Sequence, residues 1–138
     1  MKRNWIAIII VLTVIVIIGC YAVFDNMFPM ANLIDCPDAK SVTKIMLGQK
    51  DGVSVGVESV DFERIMIDII SAKPTRIMSV NDYPAVKEYY AIEVDTDARQ
   101  YRYFLYKDDS QVYIEIPYDG VYKTNQQFLD YITEYFNS

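Results

Sequence analysis

An uninterrupted apolar run near the N-terminus, Trp5 to Phe24, constrains this chain more than any other feature of its sequence. The run holds twenty residues, with no charge, no proline and one glycine. Twenty helical residues rising about 1.5 Å each match the hydrocarbon core of a bilayer, which is roughly 30 Å thick. The run therefore predicts a transmembrane helix, and we assign residues 1–24 to an N-terminal membrane anchor or lipoprotein signal segment.

The charges at the two ends of this run predict its orientation. Lys2 and Arg3 precede it, and Asp25 is the first charge after it. Basic residues flanking a span are retained on the cytoplasmic side. We therefore expect the N-terminus in the cytoplasm and the rest of the chain outside the cell membrane, as an extracytoplasmic domain.

Cys20 leaves two interpretations of the anchor open. The residues Ile17-Ile18-Gly19-Cys20 match a bacterial lipobox, in which a small residue precedes a cysteine that is lipidated and becomes the mature N-terminus. However, the apolar run continues beyond Cys20 to Phe24, and a free cysteine in a membrane helix behaves as a small hydrophobe. The chain is therefore either single-pass or lipid-anchored, with Cys20 as the candidate lipidation site. Both interpretations place the domain outside.

The charge balance of the outer part excludes some classes of partner. All 19 acidic residues follow the anchor, whereas two of the 13 basic residues precede it, so the outer part has eight more acidic than basic residues. Nucleic acids and anionic lipid surfaces are bound by clusters of Lys and Arg. We therefore expect no nucleic-acid partner, and the anchor itself is the expected contact with the membrane.

The residue types present also restrict the chemistry. The chain has no histidine, so Ser-His-Asp and Cys-His arrangements and the usual zinc ligand sets cannot form. Two cysteines, Cys20 and Cys36, are too few for a disulfide framework, and Cys36 is expected to be a tolerated thiol. The acidic turns at 95–97 and 108–109 would lie about 20 Å apart, at opposite ends of one strand. We therefore expect no catalytic residue, no metal ligand and no cofactor, and a protein that is not an enzyme.

Beyond the anchor, the sequence predicts a tether and one folded domain. Residues 25–39 contain two prolines and no sustained periodicity, which is typical of a tether. Residues 40–138 are expected to fold, beginning with two strands, 41–49 and 53–58, around the turn residues Lys50-Asp51-Gly52. A helix over 61–72 follows, capped by Ser59 or Asp61.

The second half predicts a meander of three strands followed by a helix. After a crossing segment that begins at Thr75, the expected strands are 89–95, 101–107 and 111–117, and the helix covers 125–136 with Thr124 and Gln127 as a capping box. Hairpins and meanders imply an antiparallel sheet, so the order ββα, crossing segment, βββα predicts an α+β fold with its helices on one face. Alternation places nine residues on the inner face: Tyr90, Ile92, Val94, Tyr101, Tyr103, Leu105, Val112, Ile114 and Ile116.

Three stretches together resemble a known family. They are residues 73–82, the Tyr89-Tyr90 strand, and Tyr113 to Tyr122, which matches the pattern YIExPYxGIY with Val121 in place of isoleucine. The pattern resembles small extracytoplasmic domains of unknown function from Gram-positive bacteria. The resemblance implies a domain held behind a single anchor or a lipobox, and it implies no catalytic residues.

The outward face of the meander is the candidate binding face, because tyrosine combines a large contact area with a polar tip. The predicted outward set comprises Tyr89, Glu93, Arg102, Phe104, Tyr106, Tyr113 and Glu115. The alternatives are a solvated face stabilised by cross-strand pairs, an envelope protein or peptide as ligand, and a glycan.

The sequence therefore predicts a membrane-anchored, extracytoplasmic binding or regulatory module. The alternative is an accessory subunit of a membrane protein complex that packs through its transmembrane helix. Ala7, Gly19 and Ala22 are the small residues in that helix, and they are sparse for close helix packing.

Overall fold

The computed structural model describes residues 2–137, with two compact units, one ending at Met30 and the other beginning at Ala31. Helix α1 (Lys2–Met27) forms the first unit. Within it, the stretch Asn4–Met27 is long and apolar enough to cross a membrane, and a secretory signal sequence would meet the same criteria. The helix runs through Cys20 without a break, as the apolar run predicts.

The second unit is built around a sheet. Its strands are β1 (Val42–Gln49), β2 (Ser54–Gly56), β3 (Lys73–Pro74), β4 (Tyr90–Thr96), β5 (Gln100–Asp108), β6 (Gln111–Ile116) and β7 (Gly120–Thr124). Its helices are α2 (Phe62–Ile70) and α3 (Gln126–Asn137). Short 3₁₀ turns, Ala39–Ser41 and Ser59–Asp61, precede β1 and α2.

Within residues 31–137, seven strands form a single sheet in the order β2-β1-β4-β5-β6-β7-β3, and each neighbouring pair is antiparallel. The predicted α+β class is therefore confirmed. The meander is longer than the sequence predicted, because β7 extends it by a full strand and β3 then pairs with β7. The edge strands β2 and β3 have three and two residues.

The hydrophobic core lies between one face of the sheet and the two helices. The predicted inner-face residues of β4 to β6 all pack there, with Tyr90, Tyr101 and Ile116 at its margin. Ile65, Met66 and Ile69 contribute the buried side of α2, and Phe128 and Ile132 that of α3. Apolar residues three and four apart predict one buried stripe on α2 that includes Ile70, but Ile70, the last residue of the helix, is exposed.

Part of the predicted tether belongs to the folded domain. Ala31 and Ile34 are buried in the core, the amide of Ala31 donates to the Thr75 carbonyl (2.9 Å), and the Tyr103 hydroxyl donates to the Asp35 carbonyl (3.0 Å). Residues 31–38 form neither helix nor strand, so their buried side chains follow no regular period that the sequence could show. Assigning residues 31–39 to a tether is therefore wrong.

The helix caps also differ from expectation. Of the two predicted caps of α2, Ser59 lies in the 3₁₀ turn before the helix, and Asp61 occupies the cap position without a side-chain hydrogen bond to the helix. The Asp61 carboxylate instead accepts from the Tyr135 hydroxyl (2.5 Å). At α3, Asn125 Oδ1 accepts from the Phe128 amide (2.8 Å), whereas the Thr124 hydroxyl is buried without a partner among the described residues. The cap therefore lies one residue later than predicted, because Thr124 is still part of β7.

Candidate functional site

The sheet face opposite the helices, here called the outer face, carries the predicted binding residues. The register aligns Glu93 with Arg102 across β4 and β5, and Tyr106 with Tyr113 across β5 and β6. Phe104 is likewise aligned with Glu115. Alternation along the strands therefore placed these residues on one common face, and Tyr89 immediately precedes β4.

Most of the outer face is not open to solvent. Residues 75–89, here called the covering segment, have no regular secondary structure and pack across it. Phe104 is 1% exposed, Tyr106 8% and Glu115 7%. The expected exposure of these three residues is wrong, because alternation assigns a side chain to a face but does not show what packs on that face.

A buried polar cluster attaches the covering segment to the outer face of the sheet. The Ser79 hydroxyl donates to Glu115 Oε1 at 2.7 Å, and both residues are buried. Burial raises the pKa of the Tyr106 hydroxyl, which also contacts Glu115. The start of the segment is fixed by backbone bonds, since the Thr75 amide donates to the Val121 carbonyl (3.1 Å) and the Val121 amide to the Ile77 carbonyl (3.0 Å).

The part of the outer face that remains open is a groove over β2, β1 and β4. Ser54 is aligned with Gly48, and Gly48 with Ala91, so three small residues lie side by side across the strands. Ala91 is in turn aligned with Phe104. The missing side-chain volume produces an open depression of about 270 Å³.

An aromatic wall of three mutually contacting rings closes one end of this groove. The ring centroids of Tyr89 and Phe104 are 5.2 Å apart, those of Tyr83 and Phe104 5.6 Å, and those of Tyr83 and Tyr89 6.4 Å. Tyr83 comes from the covering segment, and 56% of it is exposed. Tyr89 ends the same segment and Phe104 belongs to β5, so the wall joins two separate parts of the chain.

Charged groups line the rim. Arg102 Nη2 lies 2.8 Å from Glu93 Oε1, with both side chains partly exposed. Lys50 Nζ lies 5.5 Å from the centroid of the Tyr89 ring and donates to the Val86 carbonyl (2.8 Å). Among the described residues lining the groove, Glu93 is the one carboxylate. The groove thus offers aromatic faces, a small-residue floor and a paired Glu-Arg rim.

Sequence reasoning identified Tyr89, Glu93, Arg102 and Phe104 of this site and missed its floor and Tyr83. Glycine, serine and alanine in strands carry no sign of function until the register shows that they are neighbours. Tyr106, Tyr113 and Glu115 do not line the groove.

The two cysteines lie outside the groove. Cys20 is within α1, and Cys36 is half-buried beside Tyr103. Burial raises the pKa of the Cys36 thiol, so the reactive thiolate form is disfavoured.

Among solved structures, the chain is similar to a protein from Ruminococcus gnavus whose structure was determined by NMR. The two share 24% sequence identity with a TM-score of 0.57, over 71% of this chain and 98% of that chain. At that identity the likeness shows the fold alone. No curated protein matches the chain.

A family match identifies the folded domain. The model of the family DUF5301, a domain of unknown function (DUF5300), matches residues 30–123. The match begins one residue before the second compact unit and ends within β7. Since it covers most of the chain, the protein belongs to the DUF5301 family of domains of unknown function.

Proposed function

We propose that this protein is a non-catalytic, membrane-anchored binding module, with its folded domain on the outer side of the membrane and its ligand held in the groove. The observation that carries the proposal is the row Ser54, Gly48 and Ala91, which leads to the wall of three aromatic rings. Cross-strand pairs of aromatic or charged side chains, which stabilise a solvated sheet face, are absent from this row.

The anchoring part of the proposal is supported by α1 and its flanking charges. Lys2 and Arg3 on one side and Asp25 on the other favour a cytoplasmic N-terminus. The resemblance to extracytoplasmic domains of Gram-positive bacteria supports the same placement.

The orientation is tested by adding protease to intact cells that express the full chain. We expect the C-terminal portion to be digested, and its complete protection would overturn the proposed orientation. The intact mass of the membrane-extracted protein then separates the two anchors, since lipidation at Cys20 removes the first nineteen residues.

The chemistry of the groove suits recognition. Glu93 is the one carboxylate among the described residues that line it and is paired with Arg102, whereas catalysis by a carboxylate pair needs two carboxyl groups with separated roles. Aromatic rings supply contact area at a low cost in side-chain entropy. A polypeptide segment is the ligand class we favour, because the groove opens at a sheet edge.

Binding is tested by panning a displayed library of ten-residue peptides against the full chain in nanodiscs. Ala91→Leu fills the floor of the groove and is expected to abolish enrichment. Ala98→Leu adds the same volume in the exposed β4–β5 turn and is the matched control. If no peptide distinguishes the wild type from Ala91→Leu, or if an oligosaccharide panel does so instead, the peptide-binding proposal fails.

A further inference from the structure

The folded domain begins at one end of its sheet. Because neighbouring strands are antiparallel, the start of β1, the β4–β5 turn (97–99) and the β6–β7 turn (117–119) all lie at that end. Ala31 lies there too, since its Cβ is directly against Gly120, the first residue of β7. This end of the sheet is here called the entry end.

The groove lies toward the opposite end. Thr96, the last residue of β4, is at the entry end, whereas Ala91 on the floor of the groove is five residues earlier in the same strand. At about 3.3 Å per strand residue, the two positions are roughly 17 Å apart. Lys50, which also lines the groove, follows the last residue of β1 and is farther still from the entry end. A surface that covers the entry end therefore leaves the groove open.

A short stretch of chain joins the membrane-spanning helix to the entry end. Helix α1 ends at Met27, so residues 28–30 separate it from Ala31. Four residue steps cover at most about 14 Å, and the headgroup layer is itself roughly 5–8 Å thick. The linking residues, Phe-Pro-Met, are apolar, which favours the membrane interface over water. In a chain anchored through α1, the entry end is therefore the part of the domain that chain length keeps nearest the bilayer.

Exposed apolar side chains lie at this end. Leu33 is 83% exposed, and it lies two residues before Asp35, whose ion pair with Arg99 holds it at the β4–β5 turn. Ile77 is 53% exposed, and its carbonyl accepts from the amide of Val121 near the start of β7. Single exposed hydrophobes are ordinary on a soluble surface. These, however, lie where the length of the chain brings the lipid surface.

Tyr118, in the β6–β7 turn, is exposed in a backbone conformation that favours glycine. Its φ is 59°, and 65% of it is exposed. A left-handed φ is costly for a bulky residue, so a tyrosine there points to a role for its side chain. Its hydroxyl donates to Asp82 Oδ1 (2.9 Å), which orients the ring. Tyrosine is enriched at membrane–water interfaces, because its ring is apolar and its tip is polar.

The charges of the entry end limit how it meets lipid. The outer part has eight more acidic than basic residues, so anionic headgroups do not attract it. Asp35 is paired with Arg99, Asp119 Oδ2 accepts from the Tyr122 hydroxyl (3.2 Å), and Asp97 is exposed in the β4–β5 turn. Carboxylates are costly in the hydrocarbon core. A contact at the depth of the headgroups, made through apolar side chains, is therefore the one that fits.

We propose that the entry end is a membrane-contacting face, whose Leu33, Ile77 and Tyr118 side chains enter the headgroup layer of the bilayer that holds α1. This inference rests on the membrane anchor of the proposed function. It adds that the groove is held on the side of the domain away from the lipid, so that its ligand arrives from the aqueous phase.

The test uses the full chain in phosphatidylcholine nanodiscs, with Cys20→Ser and Cys36→Ser so that one introduced cysteine carries a fluorophore. Ala98→Cys places the fluorophore at the entry end, and Asp51→Cys places it beside the groove, both at exposed turn positions. Lipids with a nitroxide headgroup should quench the fluorophore at position 98. Quenching at position 51 should stay at background, because roughly 20 Å of strand separates the two turns. Equal quenching at the two positions would contradict the inference.

Matched variants distinguish contact from mere proximity. Leu33→Ser with Tyr118→Ser removes apolar surface and should reduce the quenching at position 98. Val53→Ser with Tyr83→Ser changes side chains that are 50% and 56% exposed near the groove, and it should leave that quenching unchanged. A flexible ten-residue Gly-Ser linker inserted after Met30 relaxes the tether. With this linker, the otherwise unchanged entry end should still be quenched, and the Leu33→Ser, Tyr118→Ser variant should not.

The outcomes separate this inference from the proposed function. Quenching that disappears when the linker is lengthened would show that the tether alone brings the domain to the bilayer, and the inference is then wrong. Quenching that requires anionic lipid would also overturn it. Neither result affects the selection of peptides by the groove. Failure of that selection overturns the ligand-binding function and leaves the membrane contact standing. Cleavage before Cys20, read from the intact mass of the native protein, would remove α1 and overturn this inference, but it would leave a lipid-anchored binding module.

Discussion

At Gly120 the backbone of β7 and the start of the folded domain approach so closely that there is no room for a side chain. A Cβ at position 120 would lie 2.6 Å from the Cβ of Ala31. Gly120→Ala is therefore expected to lower the free energy of unfolding by about 1–3 kcal/mol through overpacking. Urea denaturation of the purified protein measures this change.

Two controls isolate the contact at Gly120. Gly56→Ala should be close to neutral, because its new Cβ meets only an ordinary contact. The double variant Gly120→Ala with Ala31→Gly should recover much of the loss, since it removes the clashing methyl. A double variant less stable than Gly120→Ala alone would show that this contact does not cause the loss.

Asp61 links α2 to α3 and makes stability depend on pH. The hydrogen bond from Tyr135, and after it one from Tyr131, lowers the pKa of Asp61 below its ordinary value of 3.8. A carboxyl whose folded pKa is depressed stabilises the fold above its unfolded pKa, and this contribution is lost as the pH falls through the folded pKa. The stability difference between the wild type and Tyr135→Phe should therefore be constant above about pH 5 and shrink below about pH 4.

Thermal unfolding of both proteins from neutral pH to about pH 2.5 checks this expectation. Tyr113→Phe removes a hydroxyl from a half-buried tyrosine that does not contact Asp61, so it should follow the wild-type pH dependence. A Tyr135→Phe difference that persists unchanged in acid would mean that the Asp61 carboxylate is not the partner that matters.

At the level of the element, Thr124 and Asn125 at the start of α3 have different roles, although either residue type can cap a helix. Asn125 accepts from the Phe128 amide, so Asn125→Ala should lower the free energy of unfolding by about 1 kcal/mol. Thr124→Val keeps the side-chain shape and removes a buried hydroxyl without a partner among the described residues, so it should be neutral or slightly stabilising. If Thr124→Val costs more than Asn125→Ala in urea denaturation, the cap assignment is wrong.

The two edge strands of the sheet, β2 and β3, differ in the features that prevent pairing with a further strand. β3 contains Pro74, and Lys73 faces Lys123 across the pair, features that discourage strand addition. β2 carries neither a proline nor a charge, and it borders the groove. The shortness of β2, three residues, is the feature that limits strand addition at this edge.

At the level of the whole molecule, residues 31–39 decide where the folded domain begins. A chain that starts at Ala31 should keep the core intact. A chain that starts at Lys40 loses the buried Ile34 and the hydrogen bond from Tyr103 to Asp35. Together with the loss of Ala31, we expect it to be less stable by about 3 kcal/mol or more. Equal urea midpoints for the two truncated chains would show that these residues are a tether.

Much of the fold could be predicted because its signals are local. Asp51-Gly52 marks the first turn, where Gly52 has a φ of 95°, and the alternation in β4, β5 and β6 assigns each residue to the correct face. The signals failed where distant contacts decide the structure. β3 is a two-residue strand that exists because β7 lies beside it, and residues 31–39 are ordered by the core that they cover.

The sequence by itself determined the apolar helix, the antiparallel α+β domain and the face on which each meander residue lies, because hydrophobic period and turn chemistry act over a few residues. Only the tertiary structure decided which part of the outer face is open. The covering segment buries Phe104, Tyr106 and Glu115, and the strand register brings Ser54, Gly48 and Ala91 together. These contacts join residues far apart in the chain, and no local pattern specifies which irregular segment packs over a sheet.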